Sequence, residues 1–195
     1  MVAAVLRPEY PLVVVVHDEA GSQVRNAYEQ ALIEPILRVL AAEDGYKLNA
    51  EDVLGVVVPH RAQRAALQQA FPELCVIDAV SGLPSRSAID TVERFQGGER
   101  TVILVSATES DLAYLLSSSE FLLDPRRLTV ALSRAKRKLV LVASRSVFSM
   151  FSPDEEVFAN SQLWKNLLLR TCTTRLWEGT RQSQRVVVWG GPALT

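Results

Sequence analysis

Short apolar runs recur along this chain, and they constrain its fold more than any other feature of the sequence. They occupy residues 12–16, 53–58, 75–77, 101–106 and 139–143. The runs are rich in valine, which favours strands, and their lack of polar alternation is typical of strands buried on both faces. Because helical patterns separate the runs, the sequence predicts βαβ units with right-handed crossovers. The expected fold is α/β, with a parallel sheet flanked by helices in three layers (αβα).

The segments between the runs are predicted from their own patterns. Apolar residues recur at helical spacing over residues 28–40, although Pro35 should kink or restart that helix. Residues 62–71 predict a second helix. Residues 81–88 are typical of a loop by composition, and residues 109–120 are expected to form a mobile surface segment.

The pattern changes after residue 150, which predicts one domain over residues 1–150 and an extension over residues 151–195. In the extension, Pro153 and the acidic residues after it indicate a helix start, because the helix dipole favours acids there. That helix is expected to run to about Leu169, and residues 186–189 predict an edge strand. The sequence assigns no role to the extension.

Composition narrows the class of protein. Of the 195 residues, 48% are hydrophobic and 22% are charged, which is typical of a globular protein with a sizeable core. The formal net charge is -1, so contact with nucleic acid would have to come from local patches. Cys75 and Cys172 do not form a metal-ligand spacing, which favours a reducing, intracellular setting in the cytoplasm, nucleoid or nucleus. No apolar run is long enough to span a membrane, so no membrane partner is expected.

Residues 124–136 form the most specific motif, Asp-Pro-Arg-Arg-Leu-Thr-Val-Ala-Leu-Ser-Arg-Ala-Lys. Asp124 suits the N-cap of a helix, and Pro125 suits its first position. The helix would present Arg127 and Arg134 on nearly the same face, because they are seven residues apart. By itself this pattern would indicate no more than an exposed basic helix.

Two further motifs precede it. Residues 90–100 read Asp-Thr-Val-Glu-Arg-Phe-Gln-Gly-Gly-Glu-Arg, in which the paired glycines permit a close backbone approach. Residues 56–64 read Val-Val-Val-Pro-His-Arg-Ala-Gln-Arg and pass from a predicted strand into a predicted helix. A lone Phe-Gln-Gly would suggest only a turn beside a buried phenylalanine, but here three motifs follow one another in order.

Together the motifs resemble those of the C-terminal motor domain of superfamily 1 helicases, in the branch that contains the nonsense-mediated-decay helicase. The resemblance runs over about residues 12–143 and implies a RecA-like fold of the P-loop NTPase type. It implies that Arg134 reaches across a domain cleft to the γ-phosphate of ATP, and it makes Arg64 a second candidate for that contact. A guanidinium suits this role because phosphoryl transfer spreads negative charge over the phosphate oxygens.

The resemblance also implies binding residues around these arginines. It implies that the nucleotide is bound by Glu99, Gln96, Gly97 and Gln63. Of these, Glu99 would contact the ribose. It also implies that a single strand of nucleic acid is bound, by hydrogen bonding or by stacking, by Thr91, Pro59 and His60. The chain departs from the family pattern at Val58, where threonine is usual, and at His60, where tyrosine is usual. Val58 cannot donate a hydroxyl to a phosphate, and a structural role for His60 is an equal alternative.

Residues 18–21, Asp-Glu-Ala-Gly, imitate the magnesium-binding motif of a helicase first domain. We reject this interpretation because His17 separates the apolar run from Asp18. In addition, the sequence contains no Gly-x-x-x-x-Gly-Lys-Ser/Thr phosphate loop. The segment fits better as the first strand and loop of the second motor domain, where Asn26 and Glu29 loosely match an Asn-x-x-Glu pattern of the family.

The leading hypothesis is therefore a C-terminal motor domain of an ATP-dependent helicase or translocase. ATP with Mg²⁺ would lie between this domain and an N-terminal RecA-like domain of the same polypeptide, which would hold the phosphate loop and the magnesium ligands. The second partner would be single-stranded DNA or RNA, with 5′ to 3′ movement implied by the branch, and the chain alone would be inactive. The alternative is a helicase-derived binding or scaffolding module. A free-standing small-molecule enzyme has little support, since the sequence shows no nucleophile elbow and no paired catalytic carboxylates.

Overall fold

The structure, a computed structural model, describes residues 1–42, 53–77, 80, 84–92, 99–118, 122, 124, 126, 129 and 133–192. The strands in this part of the chain are β1 (Leu12–His17), β2 (Leu54–Val58), β3 (Cys75–Ile77), β4 (Pro84–Ser87), β5 (Ile89–Thr91), β6 (Arg100–Ser106), β7 (Ala135–Ser144), β8 (Thr174–Arg181) and β9 (Gln184–Gly191). The helices are α1 (Val2–Val5), α2 (Ala27–Ala42), α3 (Arg61–Ala70), α4 (Leu112–Ser117), α5 (Arg145–Ser149) and α6 (Glu155–Asn166), with a 3-10 turn at Pro72–Leu74 and a π-helical turn at Leu167–Thr171.

A seven-stranded mixed sheet forms the centre of the fold, in the order β5-β2-β6-β7-β1-β9-β8. The first five strands in that order run parallel to one another, while β9 is antiparallel to both β1 and β8. Helices cover both faces of the sheet. The fold is therefore a RecA-like α/β domain, and the prediction of a largely parallel sheet between helical layers is confirmed.

Valine-rich strands divide the core into two apolar layers. In β1, Val13 and Val15 face one layer and Val14 and Val16 face the other, and all four side chains are buried. The first layer packs the sheet against α1, α2 and α3, and the second packs it against α4, α5 and α6. A strand that is buried on both faces has no polar alternation, which is why an uninterrupted apolar run predicted it.

Several element boundaries differ from the sequence predictions. Residues 84–87 pair with β3 in a separate two-stranded sheet, so the predicted loop over residues 81–88 is wrong at β4. The predicted helix of residues 124–136 ends by Arg134, because Ala135 begins β7. Pro35 lies inside the continuous helix α2 rather than at a restart.

The C-terminal extension joins the main sheet. Asp154 caps α6 by accepting a hydrogen bond from the Val157 amide at 2.9 Å, as the proline and acidic run predicted. The hairpin β8–β9 then adds to β1, with Val188 paired to Val15. The prediction of an edge strand at residues 186–189 is wrong, because β9 lies between β1 and β8 and the edge is β8.

Lys138 fastens the N-terminal segment to β7. Its Nζ donates hydrogen bonds to the carbonyl oxygens of Val5, Arg7 and Tyr10 at 3.0, 2.8 and 2.7 Å. Burial lowers the pKa of Lys138 to about 8, while the Glu9 carboxylate opposes that shift. The lysine therefore satisfies carbonyls that α1 and the turn after it leave without an intrahelical partner.

Candidate functional site

The parallel strands place the predicted functional residues at two opposite edges of the sheet. We call the residues that follow β1, β2, β5 and β6 the carboxyl edge, and those that precede β6 and β7 the amino edge. His60, Gln63 and Arg64 lie at the carboxyl edge, where β2 passes into α3. Arg134 and Glu99 lie at the amino edge, directly before two strands that pair with each other.

At the amino edge, Arg134 directly precedes Ala135, which pairs with Arg100, the neighbour of Glu99. The Glu99 carboxylate lies 3.4 Å from Lys136 Nζ in a largely exposed ion pair. The Nε of Arg134 is buried and has no hydrogen-bond partner among the residues that the structure describes. The Nε of Arg64 is in the same state, so this feature does not by itself set Arg134 apart.

A cleft of about 210 Å³ lies beside this group. Its lining comes from the start of β1 and from the first half of β7, namely Pro11, Leu12, Ala135, Lys136, Arg137, Lys138 and Leu139. Lys136 and Arg137 therefore place two exposed cationic side chains at this concave surface, whereas the Lys138 ammonium is already bound by three carbonyls. Such a surface favours an anionic ligand.

At the carboxyl edge, Arg64 is held by an acidic partner. Its Nη1 lies 3.0 Å from Asp90 Oδ1, and the two side chains are 21% and 23% exposed. The same Asp90 oxygen accepts a hydrogen bond from the Thr91 amide at 2.8 Å. Arg64 therefore braces the carboxyl end of β5 in this structure.

The structure does not bring Arg64 and Arg134 together. Asp90 is level with Val57 and Val105 in the sheet, whereas Arg134 lies before the level of Arg100. The five residue steps from Arg100 to Val105 span roughly 16 Å at about 3.3 Å per residue. The two arginines therefore start from opposite ends of the sheet, and the γ-phosphate contact of Arg64 stays a prediction.

Gln63 has an internal role that the sequence did not predict. Its side chain is fully buried. The amide oxygen accepts from the Asn26 backbone N–H at 2.9 Å, and the amide nitrogen donates to the Asn26 carbonyl and the Ser106 hydroxyl, both at 3.2 Å. With its amide engaged in this way, Gln63 joins α3 to the start of α2 and to β6, and its contact with a nucleotide stays a prediction.

Of the residues assigned to a nucleic-acid strand, His60 is the most accessible. Thr91 is only 6% exposed, and Pro59 is buried. The His60 ring is 14% exposed, and its Nε2 lies 2.7 Å from Glu109 Oε1. Tyr114 packs edge-on against the same ring, with 6.2 Å between the ring centroids. His60 is thus held from two sides with one part of its ring at the surface.

The prediction of a mobile surface segment over residues 109–120 is wrong at Glu109 and Ser110. Both residues are fully buried. Besides His60, Glu109 binds the Ser118 hydroxyl at 3.1 Å, which ties the end of α4 to the same cluster. The signal that could have identified Glu109 is its position, three residues after a buried strand, at the edge where parallel strands place functional side chains.

The acidic residues after β1 organise a loop instead of a metal site. Glu19 accepts hydrogen bonds from the Gly21 amide, the Ser22 hydroxyl, the Asn26 amide group and the Ser110 hydroxyl at 2.8, 3.1, 2.8 and 2.7 Å. Asp18 pairs with Arg145. Among the described residues, no cluster of three or more histidine, cysteine or acidic side chains could hold a metal ion. Glu19 therefore ties the loop after β1 to Asn26 and Ser110.

We expect Glu19 to make the domain acid-sensitive. Burial alone would raise the pKa of Glu19, but the hydrogen bonds from Ser110, the Gly21 amide, Ser22 and Asn26 together hold it below its ordinary value of 4.5. A lowered carboxyl pKa stabilises the fold above the ordinary value, and this contribution is lost as the pH falls through the folded-state pKa. In thermal unfolding, Glu19→Gln should lower Tm at pH 7, and its gap to the wild type should narrow below pH 4.5. A gap that is constant down to pH 3 would contradict this role.

Two predicted residues, Gln96 and Gly97, lie outside the described residues. Their assignment to the nucleotide stays a prediction. No helix among the described residues is both long and apolar enough to cross a membrane.

Comparison with known proteins decides the family. The AAA domain profile matches residues 14–146, from β1 into α5, which is more than half of the chain. The chain belongs to the AAA domain family. Its relatives within this family are superfamily 1 helicases, including the branch of the regulator of nonsense transcripts, so the resemblance of the three motifs is confirmed.

Three relatives illustrate the similarity of this AAA domain to helicases. The mouse (Mus musculus) DNA replication ATP-dependent helicase/nuclease DNA2 is 33% identical over 159 residues, covering 77% of this chain and 14% of the relative. The Drosophila melanogaster regulator of nonsense transcripts 1 homolog is 33% identical over 166 residues, covering 83% and 12%. The chicken (Gallus gallus) putative helicase MOV-10 is 30% identical over 161 residues, covering 73% and 16%. This AAA domain thus spans less than a fifth of the length of these helicases.

Proposed function

We propose that this chain is the C-terminal motor domain of an ATP-dependent superfamily 1 helicase or translocase. It would complete an ATP site on an N-terminal RecA-like domain of the same polypeptide and would grip single-stranded DNA or RNA. The observation that carries the proposal is the place of Arg134, which lies beside Glu99 at the amino edge and occupies the position of the family's phosphate-binding arginine. The absence of a phosphate-loop motif from the sequence supports the view that the nucleotide is held mainly elsewhere.

The amino edge fits a nucleotide in charge and in shape. Arg134 directly precedes β7, Lys136 and Arg137 line the adjacent cleft, and Glu99 supplies a carboxylate that can accept hydrogen bonds from ribose hydroxyls. ATP, with Mg²⁺ held by the first domain, supplies the phosphoryl group that is transferred to water. The part of Arg134 is to place a fixed positive charge where the negative charge of that transfer develops, which lowers the barrier electrostatically.

The carboxyl edge fits the backbone of a single strand. His60 presents part of its ring, and Arg61 is exposed at the first position of α3, where the helix dipole also favours phosphate. Such contacts bind phosphates and sugars without reading base sequence. They suit a motor that must move along any sequence.

A short stretch of chain joins the two edges. Thr91 ends β5 at the carboxyl edge, and Glu99 precedes β6 at the amino edge, only eight residues later. Thr91 and Glu99 are therefore close neighbours along the chain, although they lie at opposite ends of the parallel strands. This covalent link supports coupling between a nucleic-acid contact and a nucleotide contact.

The two arginines should differ in effect when they are replaced. We expect Arg64→Ala to raise the concentration of single strand needed for half-maximal stimulation, because the end of β5 loses its brace. At saturating single strand, its turnover should stay within about tenfold of the wild type, since a partly exposed ion pair contributes little. Steady-state ATP hydrolysis by the complete protein measures both quantities, and Asp90→Asn serves as the matched variant of the ion-pair partner. A loss of turnover as large as that of Arg134→Ala would instead support the predicted contact of Arg64 with the γ-phosphate.

The proposed function is tested by the affinity of the complete protein for a labelled single-stranded oligonucleotide, measured by fluorescence anisotropy. A motor requires different affinities in its ATP and ADP states, and we expect a difference of about tenfold between a non-hydrolysable ATP analogue and ADP. Equal affinities in both states would favour the alternative, a scaffolding module. The specific observation that favours this alternative is Val58, which is fully buried and has no hydroxyl for a phosphate.

A further inference from the structure

A buried polar cluster lies behind the carboxyl edge, and it has no role in the sites described so far. Its centre is Glu29, which is fully buried in the first turn of α2. One carboxylate oxygen lies 3.1 Å from His17 Nε2. The other accepts hydrogen bonds from the Ser106 hydroxyl at 2.5 Å and from the Thr108 amide at 2.9 Å. Glu29 therefore joins α2 to the carboxyl ends of β1 and β6.

The local structure explains why Glu29 is available for these long-range contacts. Asn26 caps α2, because its side-chain oxygen accepts from the Glu29 amide at 2.8 Å. In a capping box the glutamate would reach back to the N–H of the cap residue. Here that N–H is already bound by Gln63, so the Glu29 carboxylate is free to reach other strands.

Thr108 is the strained residue that this cluster holds. Its φ is 67°, in the left-handed region that a β-branched residue rarely adopts. The Glu109 amide donates to the Ala107 carbonyl at 2.7 Å, so Thr108 is the centre of a γ-turn with positive φ, a rare and strained form.

Every polar group of Thr108 is tied down by the same cluster. The amide binds Glu29, the carbonyl accepts from Asn26 Nδ2 at 3.0 Å, and the hydroxyl lies 3.0 Å from the Ser106 hydroxyl. Strain of this kind persists only where the surroundings over-determine it, and it is typically found where geometry matters for function.

The γ-turn directs the next residue, which is buried, toward His60. Glu109 follows Thr108 directly, and its carboxylate lies 2.7 Å from His60 Nε2. His60 in turn precedes α3, which carries Arg61 and Arg64. A continuous series of contacts therefore runs from buried Glu29 through Thr108 and Glu109 to the exposed part of His60.

We propose that Glu29 is a positioning residue for single-strand binding: it holds the γ-turn at Thr108, which places Glu109 on His60 and fixes the His60 ring at the carboxyl edge. This inference rests on the proposed function, because it takes His60 as a contact to the single strand. Glu29 itself touches neither nucleotide nor nucleic acid. Replacing Glu29 should therefore lower the affinity for the single strand more than it lowers the rate of ATP hydrolysis at saturating single strand.

The test uses Glu29→Met in the complete protein, since methionine has similar length but cannot accept the Thr108 and Ser106 hydrogen bonds. We expect the single-strand concentration for half-maximal ATP hydrolysis to rise by about tenfold or more, while kcat at saturation changes by less than about threefold. Glu34→Met is the matched control, because Glu34 lies on the same helix, is exposed, and pairs only locally with Arg38 among the described residues. It should behave as the wild type.

A second variant covers the case in which Glu29→Met fails to fold. Glu109→Ala breaks the contact with His60 without disturbing Glu29, and it should raise the same half-maximal concentration by a similar factor. An unchanged half-maximal concentration in Glu109→Ala would overturn the proposal, as would equal losses of kcat and affinity in a folded Glu29→Met. A wild-type protein whose hydrolysis does not respond to a single-stranded oligonucleotide would instead overturn the proposed function, and this inference with it.

Discussion

Replacing Arg134 with alanine in the complete protein should lower the kcat of ATP hydrolysis by about a thousandfold or more, which is the range known for arginines supplied to a phosphoryl-transfer site. The reason is electrostatic. Arg134 lies directly before β7 at the amino edge, beside Glu99, where it would place a fixed positive charge close to a bound nucleotide. The affinity for ATP should change much less, because a first domain would hold most of the nucleotide and because the arginine acts mainly on charge that develops in the transition state. Turnover assays together with the binding of a fluorescent ATP analogue separate the two quantities.

Arg126→Ala is the matched control for this prediction. Arg126 lies in the same motif region, is exposed, and has a helical backbone as Arg134 does. It should leave kcat within about twofold of the wild type, as expected for a surface substitution away from a site. If Arg134→Ala retained near-normal turnover, or if both variants lost activity equally, the role assigned to Arg134 would be wrong.

The second large effect concerns the C-terminal extension. Trp164→Ala should lower the free energy of unfolding by about 3–5 kcal/mol, the usual cost of truncating a buried aromatic residue. Trp164 is only 1% exposed, and its ring packs edge-on against Phe148 with 5.9 Å between the ring centroids. Because α6 is part of the second apolar layer, the cavity would open inside the motor domain itself. Urea denaturation of the chain measures the change.

Phe158→Ala on the same helix is the control for Trp164→Ala. Phe158 is 40% exposed and contacts Phe151 at the surface, so its loss should cost less than about 1 kcal/mol. If the two variants destabilised the chain equally and weakly, α6 would not be part of the core. The extension would then be an appendage, as the division at residue 150 had suggested.

The main strands were predictable because parallel strands that are covered on both faces need no polar residues. Val13 to Val16 and the equivalent runs in β2, β6 and β7 carry this signal directly. Strand β4 was missed because Pro-Ser-Arg-Ser has the composition of a loop, and its pairing with β3 depends on tertiary structure. The position of β9 inside the sheet was not predictable either, since periodicity shows that a segment is a strand but not which neighbours it has.

The motifs predict where the candidate residues lie along the chain but not which partners they have in the fold, and their roles stay predictions. Motif resemblance located Arg134 and Glu99, and the structure sets them side by side at the amino edge. It assigned Gln63 and Arg64 to the nucleotide, whereas the structure shows one buried amide and one arginine paired with Asp90. Sequence spacing cannot distinguish a polar side chain that faces a ligand from one that binds a neighbouring element. The contact between Glu109 and His60 joins residues that are 49 positions apart, and no local pattern reports such a pair.

The most direct test of a motor role is the stimulation of ATP hydrolysis by single-stranded nucleic acid in the complete wild-type protein. As the proposed second motor domain, the chain should complete an ATP site only when the two domains close, and a bound single strand should favour that closure. We therefore expect hydrolysis to rise by about tenfold or more when a single-stranded oligonucleotide is added, an effect typical of allosteric coupling. A folded protein that binds both ATP and the oligonucleotide, yet hydrolyses ATP no faster when both are present, would contradict the account.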